Sequence, residues 1–212
     1  MKKSAKVDMD LCTYIEDAII PRYDNFDAGH RRDHVEIVIE QSLQLAQYYD
    51  VDINMVYAIA AYHDTGLVAG RKLHHVVSGE IIKSDMKLRE WFDEAQIRVM
   101  VDAVEDHRAS SDKEPRTIYG KIVAEADRVI DAEIIVRRTI QYGLTHYSYL
   151  NKEGHYNRFV EHMNEKYAEG GYLKLWIPQS HNAQNLNAFR EVLNDEKSIK
   201  RLFENMWKRL VE

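Results

Sequence analysis

The sequence predicts an all-α protein, and three observations carry that prediction. Apolar residues recur at helical spacing along most of the 212 residues, strand-like alternation persists nowhere, and there are only three prolines. With 45% hydrophobic residues the chain can bury a real core, and its length suits one domain.

The elements are expected in the following order. A first helix near residues 9–20 is stopped by Pro21, which has no N–H to donate. A second, near 30–49, carries His34; Val38, Ser42 and Leu45 lie near four-residue steps from it, so the imidazole points with the core stripe. The third, near 53–63, is the apolar run Ile53–Tyr62 with Asp52 as its N-cap. It ends on His63-Asp64-Thr65-Gly66, and Gly70-Arg71-Lys72-Leu73 continues as a loop. Helices near 74–85, 88–92 and 94–108 follow, then a polar loop over 109–115. A long helical stretch from about Thr117 to Gly143 carries Asp127, with Val123 a turn before it and Ile130 almost a turn after. Residues 145–155 are rich in tyrosine and polar groups and read as a loop. Helices near 156–168 and 181–210 complete the chain. Leu186, Phe189, Leu193, Ile199, Phe203, Met206 and Trp207 form an apolar stripe there, read as core packing and compatible with a homodimer face.

The pair His63-Asp64 stands at the foot of an apolar helix, where burying either group alone costs several kcal/mol. A divalent metal removes both penalties, because neutral imidazole and ionised carboxylate are ordinary ligands for it. His34 and Asp127, each on an apolar helical face, extend the candidate metal set to His34, His63, Asp64 and Asp127. Singly, each has an ordinary reading. A helix-end histidine is commonly a surface or hydrogen-bonded core residue, and Asp127 could pair with Arg128 or Arg108. The combination on three helices is what argues for metal.

This order of residues resembles the HD superfamily of metal-dependent phosphohydrolases: a His, a His-Asp pair and a distant Asp. Tyr23-Asp-Asn-Phe-Asp-Ala-Gly-His30-Arg-Arg-Asp-His34, Ala60-Ala-Tyr-His63-Asp64-Thr-Gly66 and Ile122-Val-Ala-Glu-Ala-Asp127-Arg128-Val-Ile-Asp131 are similar to segments of its compact bacterial members, often called YpgQ-like. A bulky apolar residue is commoner there than Tyr62. The resemblance covers about residues 22–145. It implies an HD-domain helical bundle, a single domain over 1–212, with the metal between core helices and the C-terminal helices at about 153–212 packed onto it. It implies a divalent ion (Mn, Mg, Co, Ni, Zn or Fe), with one per chain favoured and two allowed. His74, in His74-His-Val-Val-Ser78-Gly-Glu80, and His107, in Val104-Glu-Asp-His107-Arg108, match two further family positions. These hold a second metal in binuclear members and face the substrate phosphates in mononuclear ones. His30 and His75 are neighbours of better candidates, and His146, His155, His162 and His181 read as surface or cap residues.

The implied activity is hydrolysis of a small phosphorylated substrate, with a nucleotide first and a nucleoside triphosphate pyrophosphohydrolase as the nearest-looking kind. The nucleophile is water, which Asp64 can hold or deprotonate, and His74 and His107 join it as candidate catalytic residues. Lys72, Arg108 and Arg128 are candidate phosphate contacts, with Arg71 near them, and Asp131 would support the site. Tyr142, Tyr147 and Tyr149 could stack on a base or simply pack. Two alternatives remain: a di-iron oxygenase on the same fold, and a non-catalytic nucleotide-binding protein. A guanosine-tetraphosphate-type hydrolase is disfavoured, since Thr65-Gly66-Leu67-Val68 stands where an acidic pair is expected.

The formal charge of −6 and pI near 5.9 argue against bulk nucleic acid as a partner. The single cysteine, Cys12, excludes an internal disulfide. No run approaches the length of a membrane span, and Met-Lys-Lys has no apolar core behind it, so no membrane association and a cytoplasmic location are expected.

Overall fold

The structure, a computed structural model, describes residues 6–26, 30–108, 113–128 and 130–211. The expected polar loop at 109–115 therefore lies partly outside the described residues, as do residues 27–29 of the segment leading to His34. The described residues contain helices and no strand, so the chain is all-α. Contacts divide it into two compact units, Met1–Arg128 and Val129–Glu212.

The first unit is built around α3 (Ile53–Tyr62), in which every residue from Met55 to Tyr62 is buried. A helix apolar on all sides has no solvated face to offer, so it becomes the centre of a bundle. α1 (Met9–Ala18), α2 (Arg32–Ala46), α5 (Glu94–Asp106) and α6 (Ile118–Ala126) pack against it, and α4 (His74–Ser84) packs on α5. Asp8, Asp52 and Thr117 cap α1, α3 and α6, and Asp93 with Gln96 forms a reciprocal capping box on α5. Pro21 does end the first α-helix, but the chain turns on in a 3₁₀ segment, Ile20–Asn25, because proline is tolerated in a first helical turn. A second 3₁₀ segment, Thr65–Ala69, occupies the loop after His63-Asp64, and a third, Met86–Glu90, stands where a helix near 88–92 is expected.

The second unit contains α7 (Ala132–His146), α8 (Lys152–Tyr167), α9 (His181–Leu193) and α10 (Glu196–Val211). Its core includes Ile135, Ile140, Phe159, Met163, Leu186, Phe189, Phe203 and Trp207. Two helices expected to be continuous are broken. The stretch 117–143 divides at residues 127–131, where the Asp131 carboxylate accepts the Ile134 N–H at 2.8 Å and starts α7 anew. The stretch 181–210 divides at Asn194-Asp195, with the Asp195 carboxylate accepting the Ser198 N–H at 3.0 Å. α8 starts four residues earlier than expected because Asn151 caps it. That shift puts His155 on the same face as Phe159, Met163 and Tyr167, so His155 is buried beside Trp207 and is no surface residue.

Candidate metal centre

Three helices of the first unit end at one place. His63, His107 and Asp127 are the C-cap residues of α3, α5 and α6. The carbonyl ends of these helices carry partial negative charge, which favours a cation. α2 and α4 bring His34 and His74 to the same place from their first turns, and Asp64 follows His63 directly.

Three of the imidazoles are oriented in one way. Nδ1 lies 2.7 Å from the Ala60 carbonyl in His63, 2.7 Å from the Arg71 carbonyl in His74, and 2.6 Å from the Val104 carbonyl in His107. A carbonyl oxygen can only accept, so Nδ1 carries the ring proton and Nε2 of the neutral ring is a bare lone pair. Those lone pairs converge. Nε2 of His63 is 3.3 Å from Nε2 of His34, and Nε2 of His74 is 3.1 Å from Nε2 of His107. Two bare lone pairs so placed, as in the His74–His107 pair, repel unless a cation lies between them.

The carboxylates complete two groups of donors, His34–His63–Asp127 and Asp64–His74–His107, each within 4.8 Å. Asp127 Oδ1 is 3.2 Å from His34 Nε2 and 3.7 Å from His63 Nε2. Asp64 faces both groups: Oδ2 is 3.3 Å from His63 and 3.7 Å from His34, while Oδ1 is 3.4 Å from His74 and 3.5 Å from His107. Donors about 2.1 Å from a tetrahedral centre stand roughly 3.4 Å apart, so the residues present fit a divalent ion. Burial opposes ionisation of Asp64, but His63 and His107 outweigh it and hold the carboxyl well below the usual range. Asp127 is lowered in the same way by His34 and His63 against its own burial. Burial alone would depress His63, yet Asp64 and Asp127 raise it above its ordinary value. The pocket attracts positive charge.

The last turn of α3 leaves no carbonyl unmade. Ala60 accepts from His63 Nδ1, Ala61 from the Tyr23 hydroxyl at 2.9 Å, Tyr62 from the Thr65 hydroxyl at 2.8 Å, and His63 from the Ser78 hydroxyl at 2.8 Å. These are the four acceptors a helix end leaves without partners, and side chains supply all four. Tyr62 uses its phenol to donate to Asp85 Oδ2 at 2.5 Å, where Tyr14 also donates. Nothing in the sequence marks Tyr23, Thr65 or Ser78 for this role. A buried hydroxyl reveals its partner only once the fold brings the partner near.

The other candidates fall as follows. Lys72 is exposed, and its carbonyl accepts from Arg108 Nη1 at 3.4 Å, so these two cations share the rim beside His74 and His107. Arg71 Nη2 lies 3.1 Å from His30 Nε2, and His75 is half-buried on α4. Arg128 is buried, with its guanidinium donating to the Ala124 carbonyl at the end of α6. Asp131 spends its carboxylate on capping α7. Tyr142 stacks on His146, and Tyr147 lies under Arg158, all within the second unit. Among the described residues no helix is long and apolar enough to cross a membrane.

Four imidazoles and two carboxylates, gathered by five helices of an all-α fold, make a site of the kind that could hold divalent metal. Residues 31–131 match the family model described as HD domain, and the chain carries that domain. The match spans His34 to Asp127 and thus both donor groups. The family is one of metal-dependent hydrolases. Neither the curated proteins nor the solved structures contain a match to this sequence.

Proposed function

We propose that the protein is a metal-dependent phosphohydrolase acting on a small phosphorylated substrate, with a nucleotide as first choice. The observation that carries this reading is the convergence of bare imidazole nitrogens on the two carboxylates. His34, His63, Asp64 and Asp127 would hold the ion. A bound divalent ion there makes water acidic enough to attack near neutral pH and neutralises charge developing on phosphorus. Asp64 turns Oδ2 toward the first group, and its Oδ1 would orient the attacking water. His74 and His107 border Oδ1 through Nε2, and each would donate to a phosphate oxygen only when protonated there. Lys72 and Arg108 add fixed positive charge at the same rim. Arg128 already donates through Nη1 to Ala124, so a phosphate contact would fall to its other N–H groups.

A second reading is favoured by one observation. Asp64 turns one oxygen to each donor group, so two ions could share it, with His74 and His107 as ligands of the second. That arrangement also accommodates the di-iron oxygenase alternative.

The test is release of phosphate or pyrophosphate from a panel of nucleotides by the manganese-loaded protein. Release that stops with chelator and returns with manganese supports the hydrolase. Nucleotide binding without turnover favours the binding protein, and two irons per chain with oxygen consumption and no release favour the oxygenase.

A further inference from the structure

We propose that the hydroxyls of Tyr23 and Ser78 are positioning groups that set the register of His63 and Asp64 toward the two donor groups. The inference rests on the metal site proposed above.

Each hydroxyl bridges two backbone groups three residues apart. Tyr23 donates to the Ala61 carbonyl at 2.9 Å and accepts from the Asp64 N–H at 3.2 Å. Ser78 donates to the His63 carbonyl at 2.8 Å and accepts from the Gly66 N–H at 2.8 Å. In a continuing helix or a tightened last turn, carbonyls 61 and 63 would bond N–H groups three or four residues on. Here a hydroxyl is inserted between carbonyl and N–H in both cases. The chain is therefore held open at the two steps flanking the His63-Asp64 peptide.

That opening turns Asp64 out of the helical path. Its φ and ψ are −108° and 5°, outside the helical values of His63 at −52° and −40°. Residues leaving a helix for a turn commonly take this conformation, and here the two hydroxyls bond the backbone groups on either side of it. They come from opposite sides, Tyr23 from the turn after α1 and Ser78 from α4, so neither element can shift without moving the dipeptide. Both side chains are fully buried, which excludes water as a substitute for either bridge. Ser78 is also tied to His74 through α4, so the same helix carries a ligand-type histidine and the group that places Asp64 opposite it.

Tyr23→Phe and Ser78→Ala each remove one bridge and leave the neighbouring apolar packing in place. Tyr57→Phe is the control: it removes the hydroxyl of another buried tyrosine of α3, one that lies near Cys12 of α1 and bridges none of the last-turn carbonyls. The three variants and the wild type are titrated with cobalt(II) alone and followed by its visible absorption, with helical content and melting temperature recorded for each.

The expected result is cobalt affinity about ten- to a hundredfold weaker, with a shifted absorption band, in Tyr23→Phe and Ser78→Ala. Tyr57→Phe keeps the wild-type affinity and band and loses only melting temperature. If Tyr23→Phe does not fold, Ser78→Ala decides alone. Wild-type affinity and band in the folded bridge variants would overturn the positioning role and leave the metal site standing. An equal loss in Tyr57→Phe would overturn it too, by showing a general effect of weakening α3. A wild type that gives no cobalt absorption would overturn the metal reading, and this inference with it.

Discussion

At the scale of single residues, the centre depends on lone pairs with nowhere else to go. Nδ1 of His63, His74 and His107 is committed to a carbonyl, so Nε2 is left for a cation. Asp64 matters most, because it alone presents an oxygen to each donor group. Asp64→Asn keeps the shape and removes the charge. Its metal affinity is expected to fall more than about a hundredfold, beyond what losing a ligand's supporting partner costs. Equilibrium dialysis with manganese measures this, and an unchanged affinity would remove Asp64 from the site. The candidates His34, His63, Asp64 and Asp127 stand out in the sequence because His34 and Asp127 are polar on apolar helical faces and His63-Asp64 closes an apolar helix. Tyr23 and Ser78 do not, since a tyrosine or serine in a core carries no mark of which distant carbonyl it serves.

At the scale of elements, what matters is where helices stop. α3, α5 and α6 end together at the site, and the loop after α3 is pressed against α4. Gly66 permits that approach: a Cβ there would lie 2.0 Å from the His74 carbonyl oxygen and 2.5 Å from the Ser78 nitrogen. Both are backbone atoms and cannot swing aside. Gly66→Ala is therefore expected to push α4 outward at a cost of roughly 1–3 kcal/mol, the range for overfilling a packed core. Denaturant unfolding checks the cost, which should come with weakened metal binding because His74 and Ser78 move too. Wild-type stability would show that α4 does not need this contact. Helix existence was legible from periodicity, but the breaks at 127–131 and 194–195 were not. Periodicity runs through both, and side-chain bonds to the backbone interrupt it: Asp131 and Asp195 cap the next helices, and Asn182 and Asn185 bond Ile130. The same shift of a helix start hid the burial of His155.

At the scale of the whole molecule, chemistry and bulk are separated. Both donor groups lie in the unit Met1–Arg128, while the unit Val129–Glu212 has its own core of aromatic and aliphatic side chains. Its open groove, lined by Tyr156, Arg158, Glu161, Leu193 and Ile199 among others, lies outside those donor groups. The all-α class and the HD domain followed from sequence because periodicity and ligand order are local in the chain. The division into units rests on long-range contacts, which no local pattern reports. The proposed chemistry depends on a divalent ion held by the first unit. The most direct test is the metal content of the purified protein after manganese loading and gel filtration, beside a folded His63→Ala variant. At least one ion per wild-type chain is expected, and none in the variant. No retained ion in the wild type, or equal retention in both, would contradict the proposal.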